Sequence, residues 1–261
     1  MSTRLRARAA TTAATLLLTA SAAHAVTTTL YDATATSPVQ TLDGANWLWH
    51  YGAVGSAAEA TSASATTLDT SASIVTQAGF NASNGGSFPV APMPTLNRFS
   101  GYTVEAKLAV TAENHSSNTN RAGFSLIALS QDHLGIEIAF WTDHIWAYDF
   151  TAPSTFTHSA EDVAFTTTAT TDYFLSILNN TYTLKSGSTT LLTGNLRDYS
   201  PRGLVYPTPS YLFLGDDTSE SSSASAISFI AVTTPEPTTL SLLLLTSAAM
   251  LRRRRGGGVK G

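Results

Sequence analysis

The sequence predicts an all-β protein built from two packed sheets, and three observations lead there. Residues 26–232 alternate apolar and polar side chains with a period of two and show almost no helical periodicity. The alternating runs number eleven or twelve and are separated by turn residues, too many for one flat open sheet. Thr, Ser and Ala dominate and only 12% of residues are charged, which suits a β-rich exported chain better than a charged helical bundle.

The chain opens with a processing signal. Arg4, Arg6 and Arg8 form a positive start, Ala9 to Ala22 a short and mildly apolar stretch. Ala23-His24-Ala25 then presents the small-x-small pattern that signal peptidase accepts. Residues 1–25 are therefore expected to be a signal peptide cut after Ala25, with the mature chain outside the cytoplasm.

The domain expected over 26–232 follows. "ANWLWHYG" and "ASIVTQAG" read as early strands, and the Gly- and Pro-rich stretch Asn81 to Gly101 as a long crossover loop. "GYTVEAKLAV" puts Tyr102, Val104, Ala106, Leu108 and Val110 on one face of a half-buried strand. "AGFSLIAL" is apolar on both faces and reads as a central strand. "LGIEIAFW" and "HIWAYDF" form a hairpin across Thr142-Asp143. "DYFLSIL", "TYTLKSG" and "STTLLTG" form a meander whose turns fall at Asn179-Asn180 and Ser186-Gly187. "SYLFLG" and "ASAISFIAV" close the set.

Charge is segregated along the chain. Between Val26 and Val232 six basic residues (Arg98, Lys107, Arg121, Lys185, Arg197 and Arg202) stand against seventeen acids, a net of −11. Such a domain repels phosphate backbones, which excludes nucleic acid as a partner. The absence of cysteine excludes disulfides and thiolate metal sites.

The tail concentrates what the domain lacks. Pro235 and Pro237 flank Glu236 and interrupt regular structure. Thr238 to Leu251 is an apolar run of fourteen residues, followed by Arg252, Arg253, Arg254 and Arg255. As a short C-terminal hydrophobic helix it would span about 21 Å against about 30 Å of hydrocarbon, a pause in the bilayer and not a comfortable anchor. The arginines would hold the C-terminus on the cytoplasmic side.

That order resembles the PEP-CTERM sorting signal of Gram-negative bacteria that make exopolysaccharide. Pro235, Glu236 and Pro237 match its motif, and Arg252 to Arg255 its basic end. The resemblance implies that residues 233–261 are read by an exosortase during transient membrane association. It also implies that the product reaches the cell envelope, the outer surface or the extracellular matrix. The middle resembles the concanavalin A-like jelly roll, which includes laminin-G-like and glucanase domains. That resemblance rests on "YTVEAKLAV", "NRAGFSLIALS" and "GIEIAFW" early, and on "YFLSILNNTYTLKSG" and "YLFLGDDTSESSSASAISFIAV" late.

Catalytic motifs are weak. Jelly-roll glucanases carry Glu-x-Asp-x-(x)-Glu on one strand; here Glu137 holds the first place, but Ala139 stands where the middle Asp belongs. The next acid, Asp143, is six residues along, roughly 20 Å of strand. Paired glycosidase carboxyls need about 5 Å, or less than about 10 Å. No Gly-x-Ser-x-Gly elbow appears, and His133, His144 and His158 are scattered. Asp216, Asp217 and Glu220 offer oxygen ligands for calcium without the spacing of an EF-hand loop. The expectation is thus no catalytic residues, no resident metal and no required cofactor.

Aromatic residues carry the better hypothesis. Trp47, Trp49 and Tyr51 alternate on one strand, and Trp141, Trp146 and Tyr148 fall on two adjoining strands. Exposed indoles stack on the apolar faces of sugar rings, so Trp47, Trp49, Trp141, Trp146 and Tyr148 are the candidate glycan-binding residues, with exopolysaccharide as partner. The sequence therefore reads as an exported, structural or glycan-contacting protein that is not an enzyme; the alternative is a divergent jelly-roll glycoside hydrolase.

Overall fold

The structure is a computed structural model that describes residues 25–35, 50–85 and 93–236. In chain order the strands are β1 (Ala25–Asp32), β2 (His50–Val54), β3 (Ala58–Thr61), β4 (Thr66–Asp69), β5 (Gln77–Ser83) and β6 (Tyr102–Asn114). They continue as β7 (Ser125–Leu129), β8 (Leu134–Phe140), β9 (His144–Thr151), β10 (Thr155–Ala164) and β11 (Thr171–Leu178). The set ends with β12 (Thr181–Ser186), β13 (Thr189–Asn195), β14 (Arg197–Asp198), β15 (Tyr211–Asp216) and β16 (Ser222–Pro235).

These strands form two antiparallel eight-stranded sheets. One runs β13-β12-β11-β6-β16-β4-β3, with β1 also on β16; the other runs β10-β9-β8-β7-β15-β5-β2, with β14 also on β8. The two-sheet sandwich expected from the alternation is what the chain forms. Val104, Ala106 and Leu108 of β6 meet Ile136, Ile138 and Phe140 of β8 in one shared core, and all six are fully buried. Burying six such side chains contributes on the order of 1.5–3 kcal/mol for each large one, which is what holds the layers together.

Local signals were read well at the hairpins. The Trp141 N–H donates to the His144 carbonyl at 2.9 Å across the Thr142-Asp143 turn, and Asn179 takes φ 54° at its own turn. Two elements differ from the reading. "ASIVTQAG" becomes a strand only from Gln77, because residues 71–75 form turns. The Ser-, Thr- and Ala-rich stretch between "ANWLWHYG" and "ASIVTQAG", to which no strand was assigned, holds β3 and β4, paired as a hairpin.

At the chain ends, β1 lies along the last residues of β16, with Ala25 opposite Pro235. That pairing extends β16 three residues past the expected domain end at Val232. No helix among the described residues is long and apolar enough to cross a membrane. Ala23, the apolar run, Pro237 and Arg252 to Arg255 lie outside the described residues, as do Trp47 and Trp49.

Candidate functional site

Because side chains alternate along a strand, each residue of β8 that faces the core leaves its neighbour on the outer face of the second sheet. Ile136, Ile138 and Phe140 take the core, so Glu137 and Ala139 take the outside. Register extends this across the sheet: Glu137 is opposite Ile127 of β7, and Ile127 is opposite Phe213 of β15. A surface carboxylate would be unremarkable there, but Glu137 is only 2% exposed.

What covers it is the segment after β14. A short 3-10 turn, Ser200–Arg202, is followed by Gly203 (φ 72°) and Leu204 (φ 57°). Two left-handed residues in succession fold the chain back over the sheet, and Gly203 adopts that conformation without steric cost. Tyr199 anchors the start of the segment by donating its hydroxyl to the Tyr148 carbonyl at 2.9 Å. Tyr206 then reaches down from above, and a second apolar cluster forms beneath the segment from Tyr199, Tyr206, Tyr211, Phe213, Ile127 and Leu129.

A cavity of about 500 Å³ remains between this segment and the sheet. Glu137, Asp217, Tyr206, Arg121 and Arg202 all line it. The Tyr206 hydroxyl donates to Glu137 Oε2 at 2.8 Å and reaches Asp217 Oδ2 at 3.3 Å. Ser125 donates to Glu137 Oε1 at 3.3 Å. The two carboxyl oxygens are therefore no further apart than those two Tyr206 distances laid end to end. That limit, set on the two facing oxygens, lies between the roughly 5–5.5 Å of retaining glycosidase pairs and the roughly 6.5–9.5 Å of inverting ones.

Burial pushes the Glu137 carboxyl well above the usual carboxylate range, and the nearby Asp217 charge pushes it further. Asp217 stands at the solvent-exposed rim of the cavity, yet its carboxyl is enclosed enough that desolvation raises it to about 6. Tyr206, Arg121 and Arg202 act against that rise. One hydroxyl hydrogen cannot serve two carboxylates fully, so the trio has room for one further proton. With that proton bound, one carboxyl donates to the Tyr206 oxygen while Tyr206 donates to the other. The geometry thus permits a carboxyl pair that shares one proton through a phenol, as two like charges forced together favour.

Two arginines complete the wall. Arg121 Nη1 donates to the Asn120 and Phe156 carbonyls at 2.8 and 3.0 Å, and its Nε lies 3.3 Å from Glu220. Arg202 is exposed on the covering segment. No histidine lines the cavity among the described residues, so a Ser-His acyl-transfer arrangement is not assembled there.

No protein-family model and no curated protein matches this sequence. Solved structures do. A conserved carbohydrate esterase from the Shiga toxin-encoding bacteriophage phi24B matches with TM-score 0.51 at 14% identity, over 81% of this chain and 100% of that one. The family-7 polysaccharide lyase known as alginate lyase A1-II' gives 0.35 at 8% identity, over 61% and 80% of the two chains. Alginate lyase AlyC3 gives 0.42 at 11%, over 65% and 75%. At 14% identity the esterase match shows a shared fold. It corrects the expectation of a chain that is not an enzyme: the esterase match shows that this fold carries carbohydrate-active enzymes.

The other predicted positions fare unevenly. Glu137 does pair with an acid, but the partner is Asp217 and not Asp143, which sits exposed in the β8–β9 turn against His144. Trp146 and Tyr148 are 0% and 2% exposed and Trp141 is 9% exposed, so none presents a free face to a sugar. The reason is packing on the outer face: His115 stacks on Trp141 at 3.7 Å and His158 on Trp146 at 4.1 Å. Tyr148 still lines the cavity, with its hydroxyl accepting from the Ala122 N–H at 2.9 Å.

Asp216, Asp217 and Glu220 do not converge as metal ligands, and no group of three or more His, Cys, Asp or Glu among the described residues does. Asp216 turns inward to accept from Thr70 Oγ1 at 2.6 Å. Sequence reasoning missed Tyr206 and the cationic wall altogether. The only signal for Asp217 was the "LGDD" turn, which had suggested calcium.

Proposed function

We propose that this chain is a glycan-cleaving enzyme whose acid–base pair is Glu137 and Asp217. The observation that carries the reading is the single Tyr206 hydroxyl bonded to both carboxyls inside a cavity. The carbohydrate esterase that shares the fold supports the substrate class, and the spacing of the pair supports hydrolysis of a glycosidic bond.

Roles follow from the electrostatics. Glu137, deeply buried, holds its proton through neutrality and serves as general acid to the leaving oxygen. Asp217 faces Arg121 and Arg202, ionises first, and supplies the carboxylate that attacks the anomeric carbon or activates water. The C–O bond breaks with the Glu137 proton passing to the leaving sugar. Water then adds its hydroxyl to the anomeric carbon and returns a proton to the pair. The arrangement departs from the one-strand pattern of the jelly-roll glucanases that the sequence resembles, because the second acid comes from the segment after β15.

The test is reducing-end release from a panel of plant, algal and bacterial polysaccharides by wild type, Glu137→Gln and Asp217→Asn. Turnover by wild type and its loss in both variants supports the reading. Formation of unsaturated, ultraviolet-absorbing ends would identify elimination instead and remove the hydrolytic assignment.

We propose further that the enzyme is exported and sorted to the cell envelope or matrix, with exosortase and signal peptidase as processing partners. The supports are the leader with Ala23 and Ala25, the Pro235-Glu236-Pro237 motif and the arginine cluster. Intact-mass analysis of the native product tests it: a chain beginning at Val26 and lacking Arg252 to Arg255 is expected, and one retaining them contradicts the sorting step.

A further inference from the structure

Hydrogen-bonded pairs in an antiparallel ladder recur at every second residue. In the β8–β9 hairpin their phase is set by the Trp141 N–H, which donates to the His144 carbonyl at 2.9 Å. Ala139 and Trp146 make the next such pair, and Glu137 with Tyr148 should make the one after. That pair does not form. The two strands stay paired only as far as Ile138 and Ala147, and Leu134 and Gly135 pair with β14 instead. The ladder therefore parts at the residue that carries the buried acid.

What parts it is one phenol. The Glu137 N–H donates to the Tyr199 hydroxyl at 3.3 Å, and that hydroxyl donates to the Tyr148 carbonyl at 2.9 Å. The hydroxyl stands where the direct bond between the strands would run. Both buried backbone groups keep a partner, so opening the sheet there leaves neither unsatisfied. The fully buried Tyr199 ring packs on the Tyr206 ring at 5.5 Å and stacks on Phe156 at 5.7 Å. One side chain thus holds the backbone of the acid with its hydroxyl and the bridging tyrosine with its ring.

We infer that Tyr199 is a positioning residue, a wedge in the β8–β9 ladder that fixes the Glu137 carboxyl against the Tyr206 hydroxyl. Its part in catalysis rests on the reading of Glu137 as general acid. Without the hydroxyl the gap closes: the Glu137 N–H donates directly to the Tyr148 carbonyl, and β8 is drawn toward β9. The carboxyl is then carried off its 2.8 Å contact with Tyr206. A displacement of about 1 Å at a reacting group can cost about 10²-fold in rate. Tyr199 is not among the residues that line the cavity, so it acts through Glu137.

The test starts from the wild-type chain. NMR scalar couplings across hydrogen bonds should join the Ala139 nitrogen to the Trp146 carbonyl and should not join the Glu137 nitrogen to the Tyr148 carbonyl. A direct Glu137–Tyr148 coupling in wild type overturns the wedge without any variant. Tyr199→Phe keeps the ring and removes the hydroxyl, with folding checked by circular dichroism. It should make that coupling appear and lower kcat about 10–100-fold with KM within about twofold. It should also shrink the response of the Glu137 titration to Asp217→Asn. A lower melting temperature with kcat and that response unchanged makes Tyr199 merely structural and overturns the inference. If wild type cleaves no polysaccharide, the catalytic reading falls, and the wedge is judged on the coupling and the Glu137 response: their change in Tyr199→Phe upholds it, and their constancy overturns it.

Discussion

The two faces of β8 are equally buried and chemically opposite. Ile136, Ile138 and Phe140 are closed off by the partner sheet, Glu137 and Ala139 by a loop and an aromatic layer. On the inner face burial is the driving force, and each apolar side chain removed from water adds stability. On the outer face burial is a cost, because a carboxyl has been taken out of water and given a phenol, a serine and a second acid for company. Proteins rarely hold a carboxylate that way for packing, and pairs of acids with raised proton affinity cluster at sites that move protons.

The difference can be broken from either side. The largest effect is expected at the outer face: Glu137→Gln and Asp217→Asn should each lower turnover about 10²–10⁴-fold, with the melting temperature little changed or raised. Equal melting temperatures and equal turnover would mean that the pair is a structural oddity. On the inner face, Phe140→Ala should remove about 3–5 kcal/mol of stability by opening a cavity between the sheets, read by urea denaturation. A loss well under 1 kcal/mol would say that the sandwich core lies elsewhere.

Tyr206→Phe should have a smaller effect. It removes the hydroxyl that opposes the rise in both acids, so both should hold their protons more tightly. The acid limb of the pH–rate profile, set near 6 by Asp217 in wild type, should then move to higher pH, with a moderate loss of rate. A profile that falls in height without shifting would reduce Tyr206 to a packing residue. The smallest effect sharpens the comparison within the polar set itself. Desolvation raises Asp216 to about 8, so the folded state holds its proton more tightly than the unfolded chain does. Stability from this group is full below about 4 and declines as pH rises toward 8. Asp216→Asn should flatten that decline in denaturation series, and an unaltered slope would contradict the assignment.

Much of the fold was legible. Strand alternation located the two faces of β6 and β8, and turn residues located the hairpins at Thr142-Asp143 and Asn179-Asn180. Glu137 was legible as a candidate because it holds the first place of the Glu-x-Asp-x-(x)-Glu pattern of jelly-roll glucanases. Its partner was not, since a period of two says nothing about which distant loop lies over a strand. Asp217 comes to Glu137 only because β15 pairs with β7 and β7 with β8, a register set by the tertiary fold. The same limit explains the tryptophans. Alternation put Trp146 and Tyr148 on one face, and it could not reveal that His158 and Phe156 would cover that face. Sequence weighed a surface stripe of aromatics; folding made it a second core, and what it left open was the space beside the acids.

The central claim is that Glu137 and Asp217 hold one proton between them across Tyr206. Carbon-13 labelling of the carboxyls and titration by NMR measures it directly. The account predicts that Asp217 titrates near 6, that Glu137 titrates well above the ordinary carboxylate range, and that Asp217→Asn brings Glu137 down. Independent titration of both groups near pH 4, indifferent to each other's replacement, would contradict it.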